Sequence, residues 1–441
     1  MPRPTEEELY AVYERHPNVC IDSRRVRAGD LFVGLAGTQV RGSDYASRAL
    51  DAGAAYAIID DADFPAGDDP RYLLVDDSLR ALQNLAREHR RHHRMPVLAI
   101  TGSNGKTTTK ELVYAVMSQR YPVHATPGNY NNHLGLPLTV LATPPGTEMT
   151  ILEMGANHQR EIAELCSIGL PTHGLITNIG EAHLEGFGGL AGVKKGKGEL
   201  YDHLAETGGV AFVNGDEEHL GELAARVSRV IHYRAAETLA PHSAAVDIRV
   251  TATHPTIRVS FLDERQREID CEVQLSGRHN LQNVKSAIAV GKYFKVAGRD
   301  IAAGLSAYRS DNHRSQTLEH RGVRFYWDAY NANPSSVEAA LAAFARDHAP
   351  RAAVVVLGEM LELGDAAPAA HRRVALRAGQ TAETVVLVGE LMKPVAREFE
   401  RPWFPDSAAL TDWFYAQDWS GRTVFVKGSR GNKLERLLAQ D

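Results

Sequence analysis

Cysteine is nearly absent from this chain, with three in 441 residues. Cys20, Cys166 and Cys271 are isolated and odd in number, which excludes a disulfide framework and any Cys-x-x-Cys metal site. They read as buried, reduced thiols. No excess of either charge stands out: 49 Lys and Arg face 55 Asp and Glu, a formal charge of −6. That gives no electrostatic case for nucleic acid or for an anionic membrane. No apolar run approaches the ~20 residues needed to cross a bilayer. The opening Met-Pro-Arg-Pro-Thr-Glu-Glu-Glu is too polar and acidic for a signal peptide. Repeats and low-complexity segments are also missing. What remains, 44% hydrophobic and 24% charged residues, suits roughly two to four packed domains at this length. The expected location is the cytoplasm.

The strongest signal present is Val97-Leu98-Ala99-Ile100-Thr101-Gly102-Ser103-Asn104-Gly105-Lys106-Thr107-Thr108-Thr109. Four apolar residues run into a Gly-rich turn, and a helix is expected from Thr107 to about Gln119. Free loop amides and a helix N-terminus favour an anionic ligand. In such a loop Gly102, Ser103, Asn104 and Gly105 supply backbone, Lys106 reaches terminal phosphates, and Thr107 and Thr108 follow with hydroxyls. Thr107 is placed to ligate magnesium. The general P-loop pattern asks for Gly five residues before Gly105, where this chain has Ile100. An ordinary strand-to-helix turn is the alternative, although Lys followed by three threonines is a poor helix start for that purpose.

Three blocks follow from the patterning. Residues 1–84 alternate strands (Asp30 to Leu35, Ala55 to Ile59) with a helix from Ser43 to Ala52. A polar helix from Leu79 to Arg94 leads out through a His-rich run, His89 to Arg94, that reads as a solvated helix end and not as a metal site. Residues 85–312 carry near-continuous apolar strands such as Met149–Leu152 and Gly174–Thr177, the mark of a buried parallel sheet with functional loops at its carboxyl edge. Residues 313–441 place three apolar strands, 353–358, 384–389 and 423–428, between helices, as in a small doubly wound domain.

Those carboxyl-edge loops hold the remaining candidates. Glu153 ends a strand, where it is either a magnesium ligand or a solvated strand end. His183 sits in a Gly-punctuated loop, either as a ligand or as a structural histidine. Lys194, Lys195 and Lys197 precede an expected helix at Gly198, and such a run ordinarily forms a solvated face.

Taken together the motifs resemble the Mur ligases, ATP-dependent amide-bond ligases of peptidoglycan precursor synthesis. The resemblance covers nearly the whole chain. It rests on 101–107, Gly-Asn-Tyr-Asn-Asn at 128–132 with Gly135 and Pro137, Glu-Met-Gly-Ala at 153–156 and Asn-Ile-Gly-Glu-Ala-His-Leu-Glu-Gly-Phe-Gly at 178–188. It continues through Gly-Arg-His-Asn-Leu-Gln-Asn at 277–283, Asp-Ala-Tyr-Asn-Ala-Asn-Pro at 328–334, Leu-Gly-Glu-Met-Leu-Glu-Leu-Gly at 357–364 and Lys-Gly-Ser-Arg-Gly at 427–431. The runs at 328–334 and 427–431 are similar to those of the dipeptide-adding members. Other amino-acid-adding muramyl ligases and folylpolyglutamate-type ligases would share the ATP site and lack these two runs.

The resemblance implies a three-domain α/β fold: a central P-loop domain flanked by an N-terminal UDP-binding domain and a C-terminal Rossmann-like domain. It implies ATP, two magnesium ions, UDP-N-acetylmuramoyl-tripeptide and D-alanyl-D-alanine as ligands, in a monomer. Lys106, His183 and Lys197 become the catalytic set, with Lys197 carbamylated into a carboxylate-like ligand. Thr107, Glu153, His183 and Lys197 become metal ligands. Asn280 and Asn283 match an adenine-binding segment, although Asn280 also suits a helix cap. Arg314 and Asp328 match contacts to ATP phosphate and ribose. For substrate, Ser23 and Arg24 match a uridine-diphosphate segment, Asn131 and Asn132 lie in the Asn-rich loop, Asn331 and Asn333 grip the dipeptide, and Lys427 and Arg430 neutralise a carboxylate. Three positions depart from the family pattern: Ser43 stands in place of His, Trp327 in place of Asp, and His313 in place of Gly.

Overall fold

A computed structural model describes residues 2–37, 41–309 and 316–439. The fold is the expected three-part α/β architecture. A four-stranded sheet takes the order Val19–Cys20, Leu31–Val33, Tyr56–Ile59, Tyr72–Leu74, all parallel. The helix expected at 43–52 is a 3₁₀ turn, Gly42–Tyr45, followed by an α-helix, Ala46–Asp51.

A nine-stranded sheet forms the middle of the molecule. Its strand Val97–Thr101 is third from one edge, flanked on that side by Met149–Glu153 and then Val123–Ala125. On the other side come His173–Ile176, Val210–Asn214, Arg229–Ala236, Val246–Ala252, Ile257–Leu262 and Glu268–Val273. All pairings are parallel until Ile257–Leu262, which runs antiparallel to both neighbours. Val97 to Ile100 and Ile151 to Leu152 are fully buried, as a sheet covered by helices on both faces requires. The helices Lys106–Met117 and Arg278–Tyr293 pack together on one face.

A six-stranded sheet follows, ordered Gln316–His320, Val323–Asp328, Thr423–Lys427, Ala353–Gly358, Thr384–Val388, Trp403–Phe404. Trp327, one of the departures from the family pattern, is 1% exposed and packs in the core beside Phe325. Strand alternation puts it on the opposite face from Asp328. The change therefore fills the core and leaves the neighbouring carboxylate at the strand end. Ser43 is also buried. His313 and Arg314 lie outside the described residues.

Two surface readings of the sequence are corrected. The helix Ser78–His92 is not a solvated stalk at its end: His89 and Arg90 are buried. His89 lies between Tyr10, Tyr13 and His93, and Arg90 donates to the Gly169 carbonyl at 3.3 Å. Helix Glu6–Arg15 supplies the two tyrosines, so the polar run faces a neighbour that its own periodicity does not reveal. The helix of the lysine run begins at Leu190, not Gly198, and ends at Thr207. Three glycines disguise it. A Cβ at Gly192 would lie 1.8 Å from the Phe187 carbonyl oxygen, and one at Gly196 2.4 Å from the Phe187 ring. Close approach to Phe187 thus explains glycines that helix propensity disfavours.

Candidate functional site

The P-loop is built by two glycines that nothing else replaces. Gly102 takes φ +137° and a Cβ there would meet Thr177 Oγ1 at 2.0 Å; Gly105 takes φ +78° and would meet Asn283 Oδ1 at 2.4 Å. The helix then starts at Lys106. Lys106 Nζ folds back to donate to the carbonyls of Gly102 (2.8 Å) and Ser103 (3.3 Å), so its charge lies against the loop. Ser103 is tied to Gly180 and Asn104 N–H to Asn178 Oδ1, which locks the loop to the end of the adjacent strand.

Glu153 is the acid of this site. It is 2% exposed, and its Oε1 accepts from Thr107 Oγ1 at 3.2 Å and Asn131 Nδ2 at 2.8 Å. Its Oε2 is buried and has no hydrogen-bond partner. A buried carboxylate oxygen without a donor is costly unless a cation completes it. The pair Thr107 and Glu153 therefore fits a magnesium ion, a hard cation that takes oxygen ligands. Among the described residues no three His, Cys, Asp or Glu side chains cluster as a metal cage. Magnesium does not need one, because phosphates and water supply most of its shell.

His183 takes φ +53°, a left-handed conformation uncommon outside glycine and a form of strain found at functional positions. Its Nδ1 pairs with Glu362 of the third domain. Burial lowers its pKa, Glu362 pulls it up, and Lys106 and Lys197 push it down again. Lys197 is 1% exposed, donates to the Ala156 carbonyl at 2.9 Å, and lies 5.1 Å from the centre of the Phe187 ring. Burial, reinforced by Lys106, drives its pKa well below the usual lysine value. Of the three lysines, Lys197 is enclosed while Lys194 pairs with Glu222 at the surface. The solvated-face reading fails at Lys197.

Beside Lys106, Thr107, Glu153 and His183 lies a cavity of about 510 Å³, and Lys197 is not in its wall. Its wall includes Ser103 through Thr108, Asn131, Asn132, Glu153, His183, Asn280 and Asn283 from the middle domain. Asp328, Asn331, Asn333 and Lys427 come from the third domain. The structure thus gathers most of the expected site. Ser23 and Arg24 do not line this cavity; Arg24 is held by Asp22 at 2.8–2.9 Å. Arg430 lies outside the wall with its guanidinium over Tyr330, 5.6 Å from the ring centre.

Several expected ligands have structural partners. Asn280 Nδ2 donates to Ser276 O, and Asn283 is bonded to Thr109 and Asn280. Asn132 Oδ1 accepts from Leu134 and Gly135 N–H, fixing the start of helix Gly135–Leu141. Lys427 Nζ pairs with Asp328 Oδ2 at 2.5 Å and donates to the Asn331 carbonyl, so its charge is already balanced. Asn333 caps helix Pro334–Asp347 and donates to Asn104 Oδ1 at 2.7 Å, a direct link from the third domain to the P-loop. Sequence reasoning passed over His279, Gln282, Glu217, Tyr330 and Ser336, which also line the cavity. His279, Gln282 and Tyr330 fall inside the runs 277–283 and 328–334, which were the signal for them.

A P-loop facing a second domain across one cavity, with a buried acid and a carboxylate-paired histidine beside it, fits an ATP-dependent ligase. The Mur ligase middle domain matches residues 100–291, the Mur ligase glutamate ligase domain matches 313–430, and the Mur ligase family catalytic domain matches 17–90. The chain is 33% identical over 438 residues to the UDP-N-acetylmuramoyl-tripeptide–D-alanyl-D-alanine ligase of Bacillus subtilis (strain 168), covering 95% of this chain and 92% of that one. It is 33% identical over 430 residues to the enzyme of the same name from Escherichia coli (strain K12), with the same coverage. A crystal structure of MurF from Acinetobacter baumannii superposes with TM-score 0.85 at 26% identity, covering 99% and 98% of the two chains. MurF ligase from Thermotoga maritima in complex with ADP gives TM-score 0.82 at 25% identity, covering 98% and 97%. The chain belongs to the Mur ligase family.

Proposed function

We propose that this chain joins D-alanyl-D-alanine to UDP-N-acetylmuramoyl-tripeptide with ATP, releasing ADP and phosphate in peptidoglycan precursor synthesis. The observation that carries the reading is the single cavity shared by the P-loop of the middle domain and by Asp328, Asn331, Asn333 and Lys427 of the third. Identity with ligases of that name runs over 95% of the chain.

A carboxylate and an amine do not condense in water without activation. ATP phosphorylates the tripeptide carboxylate to an acyl phosphate, the dipeptide amine attacks it, and phosphate leaves. Both transfers build negative charge, and fixed cations lower that cost. Lys106 turns from the loop carbonyls to the terminal phosphates. His183 is held by Glu362 through Nδ1, which leaves Nε2 for a second cation. Two magnesium ions, one on Thr107 and Glu153 and one on His183 and carbamylated Lys197, would neutralise phosphate and carboxylate oxygens.

The Lys197 environment suits carbamylation. A neutral amine adds to carbon dioxide, gives up a proton and becomes a carboxylate. Burial already disfavours the ammonium. The reading divides the chain into a UDP-binding domain (1–84), an ATP-binding domain (85–312) and a Rossmann-like domain (313–441), with helix Ser78–His92 docked across the first joint. Ser23 and Arg24 then bind the uridine-diphosphate end, and Arg430 the dipeptide carboxylate. Both halves of the cavity come from one chain, so a monomer suffices. We place it in the cytoplasm, where free thiols such as its own persist; no helix among the described residues is long and apolar enough to cross a membrane.

Phosphate release with UDP-N-acetylmuramoyl-tripeptide and D-alanyl-D-alanine, each omitted in turn, tests the proposal. Release should require both. Release that ignores the dipeptide would overturn it.

A further inference from the structure

Two residues that face each other across the joint between the middle and third domains hold backbone conformations that neither favours. His183 takes φ +53° and Glu362 takes φ +63°, in the left-handed region that is costly for any residue with a Cβ. Their side chains meet, Glu362 Oε2 on His183 Nδ1. The Glu362 side chain is 55% exposed, and an ion pair so open to water returns little stability. It does not offset two strained residues, so stability is not what the contact is built for. Strain held in place this way marks a geometry that serves the site. A carboxylate can only accept, so the hydrogen of the neutral imidazole is on Nδ1. Nε2 then keeps its lone pair for the cavity, whose wall includes His183 and not Glu362. Histidines that ligate metals are commonly oriented by a carboxylate behind the ring in this way.

The loop that carries Glu362 is pinned from within the third domain. Three successive backbone N–H groups each donate to a side chain: Glu359 to Asn432 Oδ1 at 3.1 Å, Met360 to His371 Nε2 at 2.8 Å, and Leu361 to Ser429 Oγ at 3.1 Å. His371 is fully buried, and its Nδ1 donates to the Ala367 carbonyl at 2.8 Å. Leu363 is buried in the core of the third domain, and Leu184, next to His183 in the chain, packs against that same core. The Glu362 carbonyl accepts from the Glu185 N–H at 3.4 Å. A Cβ at Gly364 would lie 3.2 Å from the Glu185 Cβ, so the two segments are in close approach. Arg373 closes the contact, joining Glu181 of the middle domain to Glu338 of the third, the latter at 2.8 Å. Residues 181–185 are thus clasped by 362–373.

We propose that Glu362 is the positioning residue that sets His183 as a cation ligand, and that its place on the third domain ties this cation site to the docking of that domain on residues 181–185. The proposal deepens the two-cation ligase reading above and rests on it. An undocked third domain leaves the His183 ring without its carboxylate, free to rotate and to carry its hydrogen on Nε2. The second cation then binds weakly. The ion on Thr107 and Glu153, both in the middle domain, is unaffected.

The test uses the full chain, a non-hydrolysable ATP analogue and manganese as the probe ion, with bound ions counted by electron paramagnetic resonance. The wild-type chain should hold two ions of unequal affinity. Glu362→Ala should weaken one of them about tenfold or more, the usual effect of removing the partner behind a ligating histidine, and leave the other in place. Glu362→Gln keeps an oxygen that accepts from Nδ1–H and should recover most of the affinity. Phosphate release should follow the same ion: in Glu362→Ala kcat drops about tenfold while KM for ATP changes little. Arg373→Glu sets a carboxylate against Glu181 and Glu338, opens the clasp without touching His183, and should weaken the same ion severalfold. The retained first ion and circular dichroism report the fold of each variant. Unchanged binding of both ions in Glu362→Ala overturns the positioning role, and unchanged binding in Arg373→Glu overturns its dependence on docking. A wild-type chain that holds a single ion removes the two-cation reading and the proposal with it. A chain that holds two ions with this dependence and does not join D-alanyl-D-alanine loses the ligase assignment alone, and the positioning role stands.

Discussion

Lys197→Met should raise stability and abolish ligation, two effects of opposite sign from one substitution. The side chain is 1% exposed and has the Ala156 carbonyl at 2.9 Å and the Phe187 ring as neighbours. Methionine has similar length and packs readily into irregular apolar space. It forfeits the hydrogen bond, about 1 kcal/mol, and relieves the burial of an ionisable head. Even a buried ion pair, whose charges satisfy each other, is typically replaced by apolar side chains at no cost or with a gain of ~1–4 kcal/mol, and Lys197 has only a carbonyl as partner. The balance favours methionine by up to about 3 kcal/mol. Ligation should fall by about 10²–10³-fold, because losing a group that fixes charge in the transition state costs ~3–4 kcal/mol. The pH dependence has a defined sign. Folded Lys197 has a depressed pKa, so the unfolded chain binds more protons below about pH 10.4. Stability of the uncarbamylated wild-type protein, held free of bicarbonate, should then rise with pH from the depressed value up to about 10.4, and the methionine variant should lack that slope. Thermal unfolding across pH measures the slope, phosphate release measures activity, and ¹³C-bicarbonate spectra report the carbamate. A methionine variant that is less stable at every pH and still ligates would refute the reasoning.

Three further outcomes follow from individual groups. Lys106→Ala should leave the fold intact and reduce ligation by roughly 10²–10³-fold, since its Nζ donates to loop carbonyls and not into the core; near-native turnover would remove Lys106 from the phosphate site. D-alanyl-D-alanine should exceed D-alanine and L-glutamate as acceptor by about tenfold or more, since each buried polar group left unpaired costs ~1–3 kcal/mol; competition assays measure the ratio, and a preference for L-glutamate would point to another ligase of the family. His89 is held down to about 4 by burial, with His93 and His92 adding to it. Its folded value lies below the unfolded ~6.5, so it costs stability as pH falls from about 6.5 toward 4, up to ~3 kcal/mol, and His89→Phe should flatten that part of an acid-unfolding curve.

The fold was legible wherever hydrophobic runs were long and ended at glycine. Val97–Thr101, Met149–Glu153 and Ala353–Gly358 appear as strands within a residue or so of their expected bounds, since a buried parallel strand leaves an unbroken apolar run. The site was legible where chemistry constrains residue type in a local motif, as at Gly105, Lys106 and Thr107. What escaped was set by distant neighbours. The glycines at 192 and 196 read as helix breakers until Phe187 is seen against them. His89 reads as a surface residue until Tyr10 and Tyr13 arrive from another helix.

Asn333 shows how a residue of the cavity wall can carry an unforeseen structural role. The Asn-Pro pair at 333–334 announces a helix start, and the structure has Asn333 accept from the Ser336 N–H as its cap. That cap occupies the oxygen alone. The amino group stays free to donate, and it reaches Asn104 in the P-loop, 229 residues earlier in the chain. Ser335, in the first turn of the same helix, accepts from Asn104 Nδ2 at 3.2 Å. The helix start of the third domain is therefore seated on the nucleotide loop of the second. One residue thus both caps the helix and joins it to the P-loop.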